Sequence, residues 1–169
     1  MNSANIISQL ESNIYVFQGL FTNIPEELIL WRNMHEKWNL LEIICHLYDE
    51  ERDDFGLRLK HVLENPTQPL PPTDPVGWVT SRNYSSKIFS NVLNDFLQER
   101  KDTLKWLRSI KADHLENAYI HPKYGPLSGN FFLSNWLAHD YLHFRQIVKL
   151  KFDYIAFSTG HKLDYAGNW

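Results

Sequence analysis

The stretch Asn135-Trp-Leu-Ala-His-Asp-Tyr-Leu-His143 decides how this chain is read. His139 and His143 are four residues apart. On a helix that spacing puts two side chains one turn apart on one face, as two imidazole ligands of one metal ion require. Working outward, Phe132 and Trp136 precede them at helical steps, and Gln146 and Leu150 follow. The periodicity predicts a helix that starts near Ser128, a good N-cap, and runs to about Phe152. The pair alone is a weak signal. Eight histidines in 169 residues give about 0.4 such pairs by chance, and a histidine on an apolar stripe is more often a hydrogen-bonded core residue than a ligand.

A third histidine strengthens the pattern. His46 lies in Leu40-Leu-Glu-Ile-Ile-Cys-His-Leu-Tyr-Asp-Glu-Glu51. The spacing predicts a helix over 39–64, capped by Asn39, with Leu40, Ile43, Ile44, Leu47, Phe55, Leu59 and Val62 on its apolar face. Three histidines on two helices would make a three-ligand site with open positions, the arrangement of a catalytic metal rather than a structural one. On spacing alone, the ligand reading and the core reading stand level. Asp49, Glu50 and Asp53, at i+3, i+4 and i+7 from His46, share its side. Carboxylates on an otherwise apolar helix are costly to bury without partners. Glu50 is the first candidate for a catalytic or ligand-orienting role, because a one-turn offset and a long side chain bring it within reach. The competing reading pairs these acids with Arg52, Arg58 or Lys60 at the surface.

Two further stretches carry helical periodicity, about 4–22 and 82–110. The first ends before Pro25, and the stripe of the second is interrupted by Arg100. Between the second and third helices, Pro66, Pro69, Pro71, Pro72 and Pro75 exclude helix and favour an extended segment. That segment is long enough to cross from one side of a bundle to the other. His114 to Gly125 forms a second irregular connection, and no alternating pattern is strong enough to build a sheet. The expected fold is all-α, a four-helix bundle with a long crossover loop, in one domain over residues 1–169.

Composition excludes several functions. The net charge is −3 and no Lys/Arg run stands out, so neither nucleic acid nor an anionic membrane is an expected partner. Cys45 is the one cysteine, which excludes an internal disulfide and a Cys-rich zinc knuckle. It reads as a small buried residue rather than a nucleophile, since its neighbour His46 points about 100° away. No basic leader precedes the first apolar residues and no apolar run approaches 18 residues, so a cytoplasmic location is expected. Gly-rich nucleotide loops and the Gly-x-Ser-x-Gly elbow are missing. His35, His61, His114, His121 and His161 fall outside the stripes and receive no role, although His121 could line a pocket. The aromatic content is high, 14% with six Trp, and suggests a ring-lined pocket built from residues such as Trp38, Phe132 and Trp136.

Two blocks carry a family resemblance. Lys37-Trp-Asn-Leu-Leu-Glu-Ile-Ile-Cys-His-Leu-Tyr-Asp-Glu-Glu51 and Leu137-Ala-His-Asp-Tyr-Leu-His-Phe-Arg-Gln-Ile147 resemble the two signature blocks of the DinB-like superfamily, the damage-inducible, YfiT-type four-helix proteins of bacteria. The proline-rich loop and the ending Tyr165-Ala-Gly-Asn-Trp169 are similar to one branch of it. The resemblance implies an up-down-down-up bundle, commonly a homodimer, with a divalent metal held by His46, His139 and His143. Its characterised relatives include thiol-dependent S-transferases and an isomerase that uses a low-molecular-weight thiol. Zinc or nickel suits neutral imidazoles and leaves positions open for water or a thiol. The expected activity is therefore a thiol S-transferase acting on a small molecule, the metal favouring the reactive thiolate. The variant is metal-assisted hydrolysis with Glu50 or Asp53 as base. The alternative is a non-catalytic dimeric bundle that binds a small molecule, with a stabilising or vestigial metal.

Overall fold

The computed structural model describes residues 1–34 and 38–167. His35, Lys37 at the head of the first block, and the closing Asn168-Trp169 lie outside the described residues. Helix α1 (Ser3–Phe21) opens on Asn2, whose side chain accepts from the Asn5 amide at 2.9 Å. It buries Ile6, Leu10, Ile14, Phe17 and Phe21, the stripe its periodicity predicts. A short α2 (Glu26–Leu30) follows Pro25. Helix α3 (Leu40–Glu50) starts with a reciprocal cap: Asn39 accepts from the Glu42 amide, and the Glu42 carboxylate accepts from the Asn39 amide. The chain then passes through one π-helical turn, Glu51–Phe55, into α4 (Gly56–Glu64).

The π turn has a packing reason. Leu47, Glu51, Phe55 and Leu59 are spaced by four. Steps of four overshoot a 3.6-residue turn, so on a straight α-helix each lies about 40° further round than the last. A wider turn takes up that drift. Glu51 and Leu59, 1% and 0% exposed, are thereby both kept inside.

The proline-rich crossover follows α4 and leads to α5 (Trp78–Ser81), a 3-10 turn at Tyr84–Ser86, and α6 (Phe89–Ser109). The helix expected from residue 82 begins only at Phe89, because Asn83 takes a left-handed conformation (φ 49°) and breaks the run. After α6 a hairpin forms that the sequence did not announce. Strands β1 (Ala118–His121) and β2 (Gly125–Ser128) pair antiparallel, His121 opposite Gly125. Each strand has four residues, too few for an alternating pattern to stand out. The His121 ring closes the turn by accepting from the Lys123 and Tyr124 amides. Helix α7 (Gly129–Thr159) is capped by Ser128 as predicted, and continues past Phe152 until Gly160 ends it at φ 70°.

Two hydrophobic clusters fix the direction of each long helix. One cluster takes Phe17 and Phe21 from the end of α1, Leu40 to Leu47 from α3, Val92 and Phe96 from the start of α6, and Ile147 and Leu150 from late α7. The other takes Ile6 and Leu10 from the start of α1, Leu59 and Val62 from α4, Leu104 and Leu107 from late α6, and Phe132 to Leu137 from early α7. The chain therefore runs up, down, down and up. Because α3–α4 and α6 are parallel, the connection between them must travel the length of the bundle, and the proline-rich segment does so. Among the described residues, no helix is long and apolar enough to cross a membrane.

Candidate metal centre

Helices α3 and α7 bring His46, His139 and His143 together, as their spacing suggested. His139 Nε2 lies 3.3 Å from His46 Nε2 and 3.1 Å from His143 Nε2. All three offer a ligand atom within 4.8 Å of the others. Ligands about 2.0–2.1 Å from a tetrahedral ion stand about 3.3–3.4 Å apart, close to the two separations that His139 makes.

The protonation pattern fits a cation better than hydrogen bonding among the rings. His143 donates from Nδ1 to Gln146 Oε1 at 2.9 Å. That bond fixes the tautomer and leaves a lone pair on Nε2. His139 Nε2 can carry at most one proton for two neighbours. Burial holds all three rings neutral: His46 is pushed down to about 3, His139 to about 2 and His143 to about 4, with desolvation the leading cause in each. Neutral imidazoles with converging lone pairs are the donor set a divalent transition metal takes.

Around the rings, Trp38 packs on His46 with ring centroids 4.6 Å apart and lies parallel to His143 at 6.5 Å. Phe55, from the π turn, covers His139 at 5.1 Å. Among the described residues, His46 Nδ1 has no hydrogen-bond partner, and the nearest carboxylate is Glu50, with Oε1 at 3.9 Å. Glu50 Oε1 is itself buried and has no partner among the described residues. Burial first, then the neighbouring Asp54, push the Glu50 carboxyl up to about 8. Glu50 therefore sits on the Nδ1 side of the ring, behind the nitrogen that faces the other two histidines.

Asp49 and Asp53 turn elsewhere. The Tyr84 hydroxyl donates to Asp49 at 2.6 Å, and Arg82 reaches Asp49 at 2.7 Å and Asp53 at 2.6 Å. Arg52 also holds Asp53, at 2.8 Å. These groups line a cleft of about 380 Å³ between α3 and the Tyr84 turn. None of the three histidines lines it. Cys45 borders it, buried as expected, and desolvation pushes its thiol up to about 12.

The aromatic pocket needs correction. Trp38 is at the site, but Phe132 and Trp136 are 4% and 1% exposed and belong to the second hydrophobic cluster. Trp136 donates from Nε1 to Glu51 at 3.0 Å instead of facing a ligand. Periodicity put both residues on the correct face without revealing how deep that face lies.

Sequence reasoning also missed a buried charged cluster beside the site. Arg100 donates from Nε to Glu51 at 2.7 Å, and from both terminal nitrogens to Asp140 at 2.8 and 2.9 Å. Asn13 donates to Asp140 at 2.8 Å. The available signal was Arg100 itself, a cation interrupting an apolar stripe, which requires buried carboxylate partners.

A family model for the DinB superfamily matches residues 9–147. No curated protein matches the chain. Among solved structures, YfiT from Bacillus subtilis, described as a probable metal-dependent hydrolase with an unusual four-helix bundle topology, superposes with a TM-score of 0.78 at 16% identity. The match covers 95% of this chain and 89% of that one, and at this identity it is a likeness of fold. The matched region spans most of the chain and holds all three histidines, and the chain belongs to the DinB superfamily.

Proposed function

We propose that this protein is a metal-dependent enzyme that binds one divalent ion, zinc or nickel, through His46, His139 and His143. Its reaction moves a group on a small molecule to a low-molecular-weight thiol, or to water. The observation that carries the reading is the convergence of three neutral imidazoles, with His139 Nε2 at ligand spacing from the Nε2 atoms of both His46 and His143. YfiT's description as a probable metal-dependent hydrolase supports the same class.

When bound, the ion would supply Lewis acidity and lower the pKa of a coordinated nucleophile toward neutrality. The chain's own groups do the rest. Gln146 holds His143 in the tautomer that presents Nε2. Glu50, on the Nδ1 side of His46, is a positioning residue that accepts from Nδ1–H once the ring tightens toward it. Trp38 walls the site with an apolar face against which a small substrate can pack. Three ligands leave positions open for that substrate.

A homodimer is part of the proposal. Phe131, Tyr141, Leu142 and Val148 of α7 are exposed apolar side chains, 38% to 63% accessible, that a second copy could cover.

The test is metal content and turnover together. Elemental analysis after purification without chelator should find about one divalent ion per chain, and His143→Ala should lose it. Zinc- and nickel-loaded protein should then conjugate a thiol to electrophilic substrates or hydrolyse activated esters and amides. Metal without turnover across such a panel favours the non-catalytic bundle. Equal metal in wild type and His143→Ala removes His143 from the ligand set.

A further inference from the structure

We infer that the buried cluster of Glu51, Arg100 and Asp140 positions the metal site and supplies its counter-charge. This deepens the metal-binding reading above and rests on it.

Position is the first ground. Asp140 follows His139 directly, and Glu51 follows Glu50 and lies five residues beyond His46. Arg100, on α6, therefore grips both histidine-bearing segments beside their ligands. Asn13 on α1 and Trp136 on α7 complete the cluster, so all four long helices meet in it. Each carboxylate oxygen has a donor. Glu51 Oε1 accepts from Arg100 Nε and Oε2 from Trp136 Nε1. Asp140 Oδ1 accepts from Arg100 Nη2, and Oδ2 from Arg100 Nη1 and Asn13. Such a fully donated arrangement has one low-energy geometry. It fixes the backbone from which His139 projects.

Charge is the second ground. Two carboxylates face one guanidinium, and Glu51, Arg100 and Asp140 are each at most 1% exposed. Burial pushes the Glu51 carboxyl up, and the Arg100 guanidinium and Trp136 N–H hold it down. With an N–H donor on each of its oxygens, Glu51 is held in the carboxylate geometry. With both carboxylates ionised, the cluster carries one net negative charge where water cannot screen it. A strut alone would be better built neutral, since buried ionic groups are seldom more stable than apolar replacements of the same volume. A surplus anion next to three uncharged imidazoles is instead the complement of a cation held among them. The π turn is the local device that makes this possible, because it keeps Glu51 on the buried face while α3 presents His46 to α7.

The experiment measures zinc affinity by chelator competition, the Co(II) absorption spectrum, and apo-protein stability in urea. The proteins compared are wild type, Glu51→Gln, Glu51→Asp and Asp140→Asn. Glu51→Gln, which removes the surplus charge at nearly constant shape, is expected to bind zinc about 10- to 100-fold more weakly with an unchanged Co(II) spectrum. Glu51→Asp keeps the charge and should restore affinity. Asp140→Asn should both weaken binding and shift the Co(II) bands, because it loosens the backbone that carries His139. If Glu51→Gln loses urea stability but binds zinc like wild type, the cluster is a strut and the inference is overturned. Should Glu51→Gln fail to fold, Glu51→Asp carries the test, and weakened zinc binding there overturns the charge argument. Wild type that binds no zinc overturns the metal reading itself, and this inference with it.

Discussion

Glu50 stands beside His46, its Oε1 3.9 Å from Nδ1, while the other ring nitrogen, Nε2, faces His139 at 3.3 Å. That placement distinguishes a residue that orients a ligand from one that takes a proton from substrate. Glu50→Gln is therefore expected to lower metal affinity by about tenfold. Any fall in turnover should be recovered when metal is saturating. Competition titrations, with kinetics at several metal concentrations, check this. A turnover loss that saturating metal leaves untouched would instead assign Glu50 a direct part in proton transfer.

Removing the metal should leave the bundle folded. Two clusters of buried side chains span all four long helices, and burying each large apolar side chain contributes about 1.5–3 kcal/mol. Ligation is an addition to that sum rather than its source, unlike in a zinc finger. Circular dichroism before and after EDTA should show the same helical signal, with a modest drop in melting temperature. Collapse of the helical signal would show that ligation holds the fold.

Acid should destabilise the metal-free protein through the histidines. Folded, His46, His139 and His143 stay neutral down to about 3, 2 and 4. Unfolded, each binds a proton below about 6.5. The unfolded chain thus holds more protons between about pH 6.5 and 4, and stability falls as pH falls through that window. Glu50, held near 8, acts in the opposite sense: folded, it keeps its proton above the unfolded carboxylate value, so its contribution shrinks as pH rises from about 4.5 to 8. Urea midpoints of wild type and His139→Asn from pH 7 to 5 separate the terms. The wild-type curve should fall more steeply, by on the order of 1 kcal/mol per pH unit. Parallel curves would mean that His139 is not held neutral.

Cys45 should be inert. It is 3% exposed and its thiol is pushed up to about 12 by burial, so little thiolate exists at neutral pH. A chromogenic disulfide reagent should label it only on denaturation. Cys45→Ala should keep any turnover, at a small cost in stability. Rapid labelling of the folded protein would contradict the assignment.

Much of this architecture was legible because it rests on periodicity. The α1 stripe, the Asn39 and Ser128 caps and the crossover prolines follow from spacing and backbone chemistry, whereas spacing left the meeting of His46 with His139 and His143 level with a core reading until the resemblance of the two blocks was added. The remainder depends on depth and on pairing between distant segments. Asp49, Glu50 and Asp53 share one side of a helical wheel, yet Tyr84 and Arg82 draw Asp49 and Asp53 away and leave Glu50 beside His46. Asp140 lies inside a signature block but is explained only by Arg100, 40 residues earlier. Trp136 has the same wheel position in a core as in a pocket, and only its Nε1 bond to Glu51 decides between them.

The histidines that meet across α3 and α7 are 93 residues apart, so α3 leaves the ribosome well before α7. A nascent chain emerging N-terminus first can offer His46 alone, a single imidazole with little hold on any ion. Capture of a metal by all three histidines would therefore wait until α7 has emerged and docked on α3. The identity of the bound ion would then be set by which metals are free in the compartment where the finished protein resides, rather than by what surrounds the chain during translation.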